Sequence, residues 1–240
     1  MLAFHGNSNT KAKYVERVKA HAIADEIVHG TYWRNGKGCA IGCTIHGSDH
    51  SCYETELGIP RILARLEDRI FEGMRNGDSK EFPLRFLSAI EPGADLSIIW
   101  YQFAHWLLVD KTDGVLRFAK TDRTKEAIIG VASLFNRAQQ GLTVEATEWS
   151  DAKRKARAAA AAHAADAADA DAAKTATKAA HADAYDSATA AAYACAEAAA
   201  TATAYPNSGT QSACSAAYGR QADKLIELLT AAPVPSKDAV

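Results

Sequence analysis

Between Ala158 and Ala204 the chain is mostly alanine, and neither glycine nor proline interrupts it before Pro206. Alanine has the highest intrinsic helix propensity because it loses no side-chain entropy and buries no polar group. The tract is therefore expected to be helical. As one helix it would run about 70 Å at 1.5 Å per residue. Breaks are expected near Thr175–Thr177 and at Asp186–Ser187, giving two or three antiparallel helices folded against the first part of the chain. Thr177, Thr189 and Thr201 recur every twelve residues, so each step turns about 120° and the threonines spiral round the helix. That excludes the single threonine face of an ice-binding helix, and the lack of a large a/d seam excludes a heptad coiled coil. A packing scaffold remains, or a docking surface for a host protein or a second copy through Tyr185, Tyr193 and Tyr205. The basic run Lys153–Arg157 can touch phosphates, but acidic residues follow it and a solvated face is the simpler reading.

A chain of 240 residues holds one large domain or two small ones. Hydrophobic residues make up 48%, a figure inflated by alanine, and the large apolar side chains concentrate before Trp149. The expected organisation is all-α: a compact multi-helix domain over 1–147, an alanine-rich helical extension over 148–232 and a frayed tail over 233–240. A formal charge of −2, from 27 basic and 29 acidic residues, supplies no field for nucleic acid or an anionic membrane. Five cysteines are an odd number, and Met1–Gly6 has neither a basic flank nor an apolar h-region. Free thiols and a cytoplasmic location are expected. The apolar run Ile98–Val109 is shorter than the roughly 18 residues of a membrane span.

Before Trp149 the pattern predicts successive helices. Asn9 or Thr10 caps the first, which runs to Val28 and stops at Gly30. Two short helical pieces follow between Thr31 and Gly58. A third helix runs from Pro60 to Met74, with Ile62, Leu63, Leu66 and Ile70 at helical spacing. Others are expected over Ser79–Ile90, from Asp95 to Val109, and from Asp122 to Gln140 with Ile128, Val131, Ala132 and Phe135 inward. A last one ends in Leu225, Ile226, Leu228 and Leu229, after a turn at Pro206–Gly209. Val115–Phe118 is the only strand candidate.

The chemistry-bearing residues gather in Trp33–Glu56. Three of the five cysteines and two of the eight histidines lie within fourteen residues there. Cys39, Cys43, His46 and His50 are spaced i, i+4, i+7, i+11, a stripe about 16 Å long on a continuous helix, too long for one ion. A turn at Gly47–Asp49 would fold His46 and His50 back beside Cys43, and Ser51 with Glu54 has capping-box spacing. Three functional readings follow. Cys39, at a helix start that favours thiolate, is a catalytic nucleophile with His46 or His50 as base, oriented by Glu54 or Glu56. Alternatively Cys43, His46 and His50 (with Cys52) bind metal, with zinc as the candidate cofactor, although the spacing matches no standard finger. Or Arg34, Lys37 and Gly38, with Trp33 or Tyr32 as a stacking surface and joined by His5 and Asp25, bind a small anionic, nucleotide-like ligand at the helix N-terminus. The competing reading is close packing, with small residues and buried thiols acting as spacers.

Phe4-His5-Gly6, Tyr14–Val18, Ala24–Ile27, Gly36–His46, Tyr53–Pro60 and Leu66–Gly73 together resemble a family of uncharacterised helical proteins encoded by bacteria and their phages. Members end in an alanine-rich tail like the one from Ala158. The resemblance covers most of the chain and carries no known activity. It implies a phage or mobile-element setting, in which small proteins bind host proteins or capture nucleotide signals, an anti-defence role. The leading expectation is accordingly a binding protein for a small anionic ligand or a host component. A Cys/His-dependent or metal-dependent hydrolase or transferase is the alternative, and a partner-binding module acting through the alanine helices is a third.

Overall fold

A computed structural model describes residues 1–75, 77–162, 167–180 and 211–235. Among these residues the chain is helical in class: ten α-helices, two 3-10 turns and one hairpin of two-residue strands. It divides into two compact units, Met1–Ile99 with Gln221–Val240, and Trp100–Arg220. The compositional boundary at 147/148 falls inside the second unit.

In the first unit a 3-10 turn, Ala3–Gly6, precedes α1 (Ser8–Ile23). Asn7, not Asn9 or Thr10, caps α1, its side-chain oxygen accepting the Asn9 N–H at 2.8 Å. The helix stops at Ile23 and not at Val28, because the next residues bond elsewhere. Asp25 is left-handed (φ 54°), Gly38 N–H donates to Glu26 O, and Val28 N–H donates to Gly38 O. Strands β1 (Trp33–Arg34) and β2 (Lys37–Gly38) form the hairpin. Short helices α2 (Ala40–Ile45) and α3 (Cys52–Leu57) follow, then α4 (Arg61–Gly73) and α5 (Asp78–Ala89). Pro60 stands at the N-cap of α4, and Leu63, Leu66, Ile70 and Phe71 are buried. α1 packs on α5 and α2, and α4 packs on α5 and α2. Leu225 and Leu229 are buried, and the Asp95 N–H donates to Pro233 O at 2.8 Å. The chain is therefore held through Pro233, where fraying was expected to begin; residues 236–240 lie outside the described set.

The second unit contains α6 (Ile99–Val109) from Trp100 onward, α7 (Asp122–Gln139), α8 (Ala146–Ala162), α9 (Ala167–Ala179) and the first half of α10 (Gln211–Thr230). Val115–Phe118 is a 3-10 turn, not a strand. Thr121 caps α7, its hydroxyl accepting the Thr124 N–H, so Asp122 sits one residue inside. Phe135, Ile128, Val131 and Ala132 are buried as the pattern predicts, and Trp149 of α8 packs on Phe135. α8 and α9 pack on each other and on α7, so the tract is not one straight helix. No break occurs at Thr175–Thr177, where both hydroxyls donate to the preceding turn, at Asp171 O and Ala173 O. The fastening of this unit is Asp169. Fully buried on α9, it accepts the N–H groups of Lys120 and Thr121 at 2.5 and 3.3 Å and the Thr124 hydroxyl at 2.7 Å. Tyr185, Tyr193, Tyr205, Thr189, Thr201, the Asp186–Ser187 break and the Pro206–Gly209 turn lie outside the described residues. No described helix is long and apolar enough to cross a membrane.

Candidate functional site

The segment Trp33–Glu56 opens with a tight turn. Asn35 and Gly36 both have positive φ, 53° and 81°, the requirement of a two-residue hairpin loop. The strand pairs Trp33 with Gly38 and Arg34 with Lys37 and delivers Cys39 to the N-cap of α2. There the Tyr32 carbonyl crosses the helix start. A Cβ on Gly38 or Gly42 would lie 2.1 or 1.3 Å from that oxygen, so both glycines exist to admit backbone. The space beside Gly38, expected to take part in the anion site, is filled by the chain's own Tyr32 carbonyl.

The other expected ligand residues divide. Arg34 and Lys37 are exposed on the hairpin beside half-buried Trp33. Asp25 pairs with Lys80, whose hydrogen bond lowers the carboxyl's pKa, and Lys37 adds to the effect. His5 lies elsewhere, its Nε2 3.2 Å from Thr55 O.

The thiol and imidazole groups also part company. Cys39 is buried, and its Sγ donates weakly to Asp68 Oδ1 at 3.8 Å. Burial pushes this thiol up to about 12; the amides of Gly42 and Ile41 oppose the shift, and Asp68 and Glu72 reinforce it. A thiol so placed is protonated at neutral pH, which removes the support for a free nucleophile at Cys39. Cys43, pushed up to about 11 by burial, donates to Gly38 O at 3.3 Å and fills space. His46 ends α2 in the left-handed region (φ 54°), stacked on Trp33 at 4.3 Å. His50 is buried with Nε2 3.2 Å from Asp68 Oδ2. Glu54 accepts the Arg61 N–H at 3.0 Å, and Ser51 makes no capping bond. Glu56 accepts the Tyr14 hydroxyl. Hence neither the Cys39–His46/His50–Glu54 relay nor the Cys43–His46–His50 metal set forms.

A different group does form. α4 presents Asp68 and Glu72, one turn apart, to Cys39 at the start of α2. One ligand atom from each lies within 4.8 Å of the others, the only such trio of potential metal ligands among the described residues. Asp68 Oδ2 also accepts the Tyr32 hydroxyl at 3.1 Å, and that phenol is pushed up to about 12, chiefly by burial and then by Asp68, with Arg65 opposing. Both Glu72 oxygens accept the Gly30 N–H at 3.0 Å. His29 Nδ1 lies 3.6 Å from Glu72 Oε2 without forming a hydrogen bond, while its Nε2 contacts Ser79 Oγ at 3.1 Å and its ring stacks on Phe71. Behind Asp68, fully buried Glu67 receives the Tyr53 hydroxyl at 2.7 Å. Burial lifts the Glu67 carboxyl to about 8 against that hydrogen bond, with Asp68 adding to the rise. Asp68, Glu72 and Glu67 were not among the residues expected from sequence, although Glu67 stands midway between Leu63 and Phe71 on the apolar stripe of α4; Tyr32 was expected as a stacking surface and is instead a partner of Asp68. Comparison of the whole chain with protein families, characterised proteins and solved structures finds no match.

Proposed function

We propose that this protein binds a divalent, zinc-type ion at Cys39, Asp68 and Glu72, and that the ion's remaining position takes a small anionic ligand. The convergence of a thiol and two carboxylates within 4.8 Å carries this reading. A tetrahedral ion with bonds of about 2.3 Å to sulfur and 2.0 Å to oxygen holds those two atoms about 3.5 Å apart. The Cys39 Sγ to Asp68 Oδ1 separation of 3.8 Å is near that value. A bound cation deprotonates a coordinating thiol, reversing the effect of burial, and it offsets the like charges of Asp68 and Glu72. His50 and Tyr32 on Asp68, and Gly30 N–H on Glu72, are the outer partners that orient ligands. Glu72 retains 23% side-chain exposure, giving an approach for water or an anion. In this reading the metal captures the anion, not Arg34 and Lys37. A reduced Cys39 suits a cytoplasmic setting, and capture of a small anion suits the phage or mobile-element context implied by resemblance.

Elemental analysis of protein purified without chelator tests it. About one zinc per chain is expected, with affinity at least tenfold weaker in Asp68→Asn and in Glu72→Gln, both retaining wild-type helical circular dichroism. Apoprotein that takes up no zinc in calorimetry, or well-folded variants that bind as tightly as wild type, would overturn it.

A further inference from the structure

A second cluster in the same unit lies where α1 ends and α2 ends. His21, in the last turn of α1, and His46, at the C-cap of α2, face each other with their Nε2 atoms 2.9 Å apart. The far nitrogen of His21, Nδ1, lies 2.6 Å from Glu26 Oε2. A carboxylate oxygen accepts, so this contact places a proton on Nδ1 and selects the tautomer whose lone pair is on Nε2. That lone pair points at His46. Trp33 holds the pair in place, stacked on His46 with 15° between the rings and edge-on to His21 at 5.2 Å. His46 is exposed, and the His21 side chain retains 13% exposure.

We propose that His21 and His46 form a second metal site, a two-imidazole chelate for a late first-row divalent ion such as Ni(II) or Cu(II), with Glu26 as the outer carboxylate that fixes the His21 tautomer. Metal–imidazole bonds of about 2.0–2.1 Å make two nitrogens 2.9 Å apart subtend about 90° at the ion. That is the cis angle of tetragonal Ni(II) and Cu(II) sites, narrower than the tetrahedral angle zinc prefers. A carboxylate on the far nitrogen of a ligating imidazole is the usual outer partner of such sites. Arg17, which donates to Thr44 O nearby, is the cation opposing the ion. Solvent completes the coordination. The site shares no ligand with Cys39, Asp68 and Glu72 and does not rest on that reading.

Ni(II) titration of the full chain, followed by calorimetry and tryptophan fluorescence, tests the proposal. Zinc-loaded wild type and Asp68→Asn are expected to bind one Ni(II) with equal affinity, tryptophan fluorescence falling as the ion binds. His21→Gln and His46→Asn should each weaken binding at least tenfold; asparagine tolerates the left-handed backbone at position 46. Trp33→Phe should keep the calorimetric binding and lose the fluorescence response. Binding unchanged in both histidine variants, or abolished only by Asp68→Asn, would overturn the proposal, the latter result placing the ion at the first centre instead.

Discussion

The two units bury a carboxylate in opposite company. Asp169, in the alanine-rich unit, is surrounded by donors: two backbone N–H groups and a hydroxyl. Asp68, in the other, also has donors in Tyr32, His50 and Cys39, but it shares its surroundings with the carboxylates of Glu72 and Glu67. A buried charge matched by donors fastens a fold. The same charge set among further acids and a thiol has acceptors to spare, and a cation resolves that surplus. Asp169 therefore reads as architecture and Asp68 as a ligand.

Breaking the fastener should have the largest effect. Asp169→Ala leaves the Lys120 and Thr121 N–H groups and the Thr124 hydroxyl without their acceptor and is expected to destabilise the protein by about 3–5 kcal/mol in urea melts. Asp169→Asn, which keeps one acceptor oxygen, should cost less. A loss no larger than that of an exposed substitution would remove the distinction between the two acids.

Backbone crowding separates the regions next. At Gly42 an added Cβ would lie 1.3 Å from the Tyr32 carbonyl, whereas at Gly130 and Gly219, in the alanine-rich unit, nothing lies within 4 Å. Gly42→Ala should cost about 3 kcal/mol, near the upper end of ordinary overpacking. Gly130→Ala should be neutral or stabilise α7 by about 0.4–1 kcal/mol, since helical glycine loses more chain entropy than alanine. Equal melting midpoints for the two variants would mean that the Tyr32 carbonyl does not press on α2.

These contrasts were unevenly legible in the sequence. The helices with large apolar stripes, α4 and α7, stand within about a residue of where periodicity placed them, because burial at 3.6-residue spacing leaves few alternatives. The end of α1 was not legible, since Glu26 and Val28 bond to Gly38, a partner ten or more residues on. The Asn35-Gly36 pair, the strongest short hairpin signal, lay in plain view, but the helical pattern around it drew the reading away. Local density of cysteine and histidine marks Trp33–Glu56 but does not show which side chains Cys39 meets. Cys39 meets Asp68 and Glu72 from a helix about thirty residues later, and no local spacing carries that meeting. The acids on the apolar stripe of α4 were the available clue, because Glu67 and Asp68 break a pattern that otherwise demands hydrophobes.

The imidazoles repeat the contrast on a smaller scale. His21, His29 and His50, in the first unit, each face a carboxylate. His105, on α6 in the second, is perturbed by burial alone, which lowers its pKa below 6.5. The unfolded chain therefore takes up this proton at a higher pH than the folded one. Stability follows the protons bound in the unfolded state minus those in the folded state, so this residue's contribution is constant above the ordinary histidine range and diminishes as pH falls below about 6.5. His105→Gln cannot titrate, and its urea midpoint should fall less than that of wild type between pH 7.5 and 5.5. The difference is expected to be the smallest of the three, because the ring is only partly buried and solvent screens it. Parallel pH profiles for wild type and variant would show that burial of a lone imidazole plays no part in the acid sensitivity.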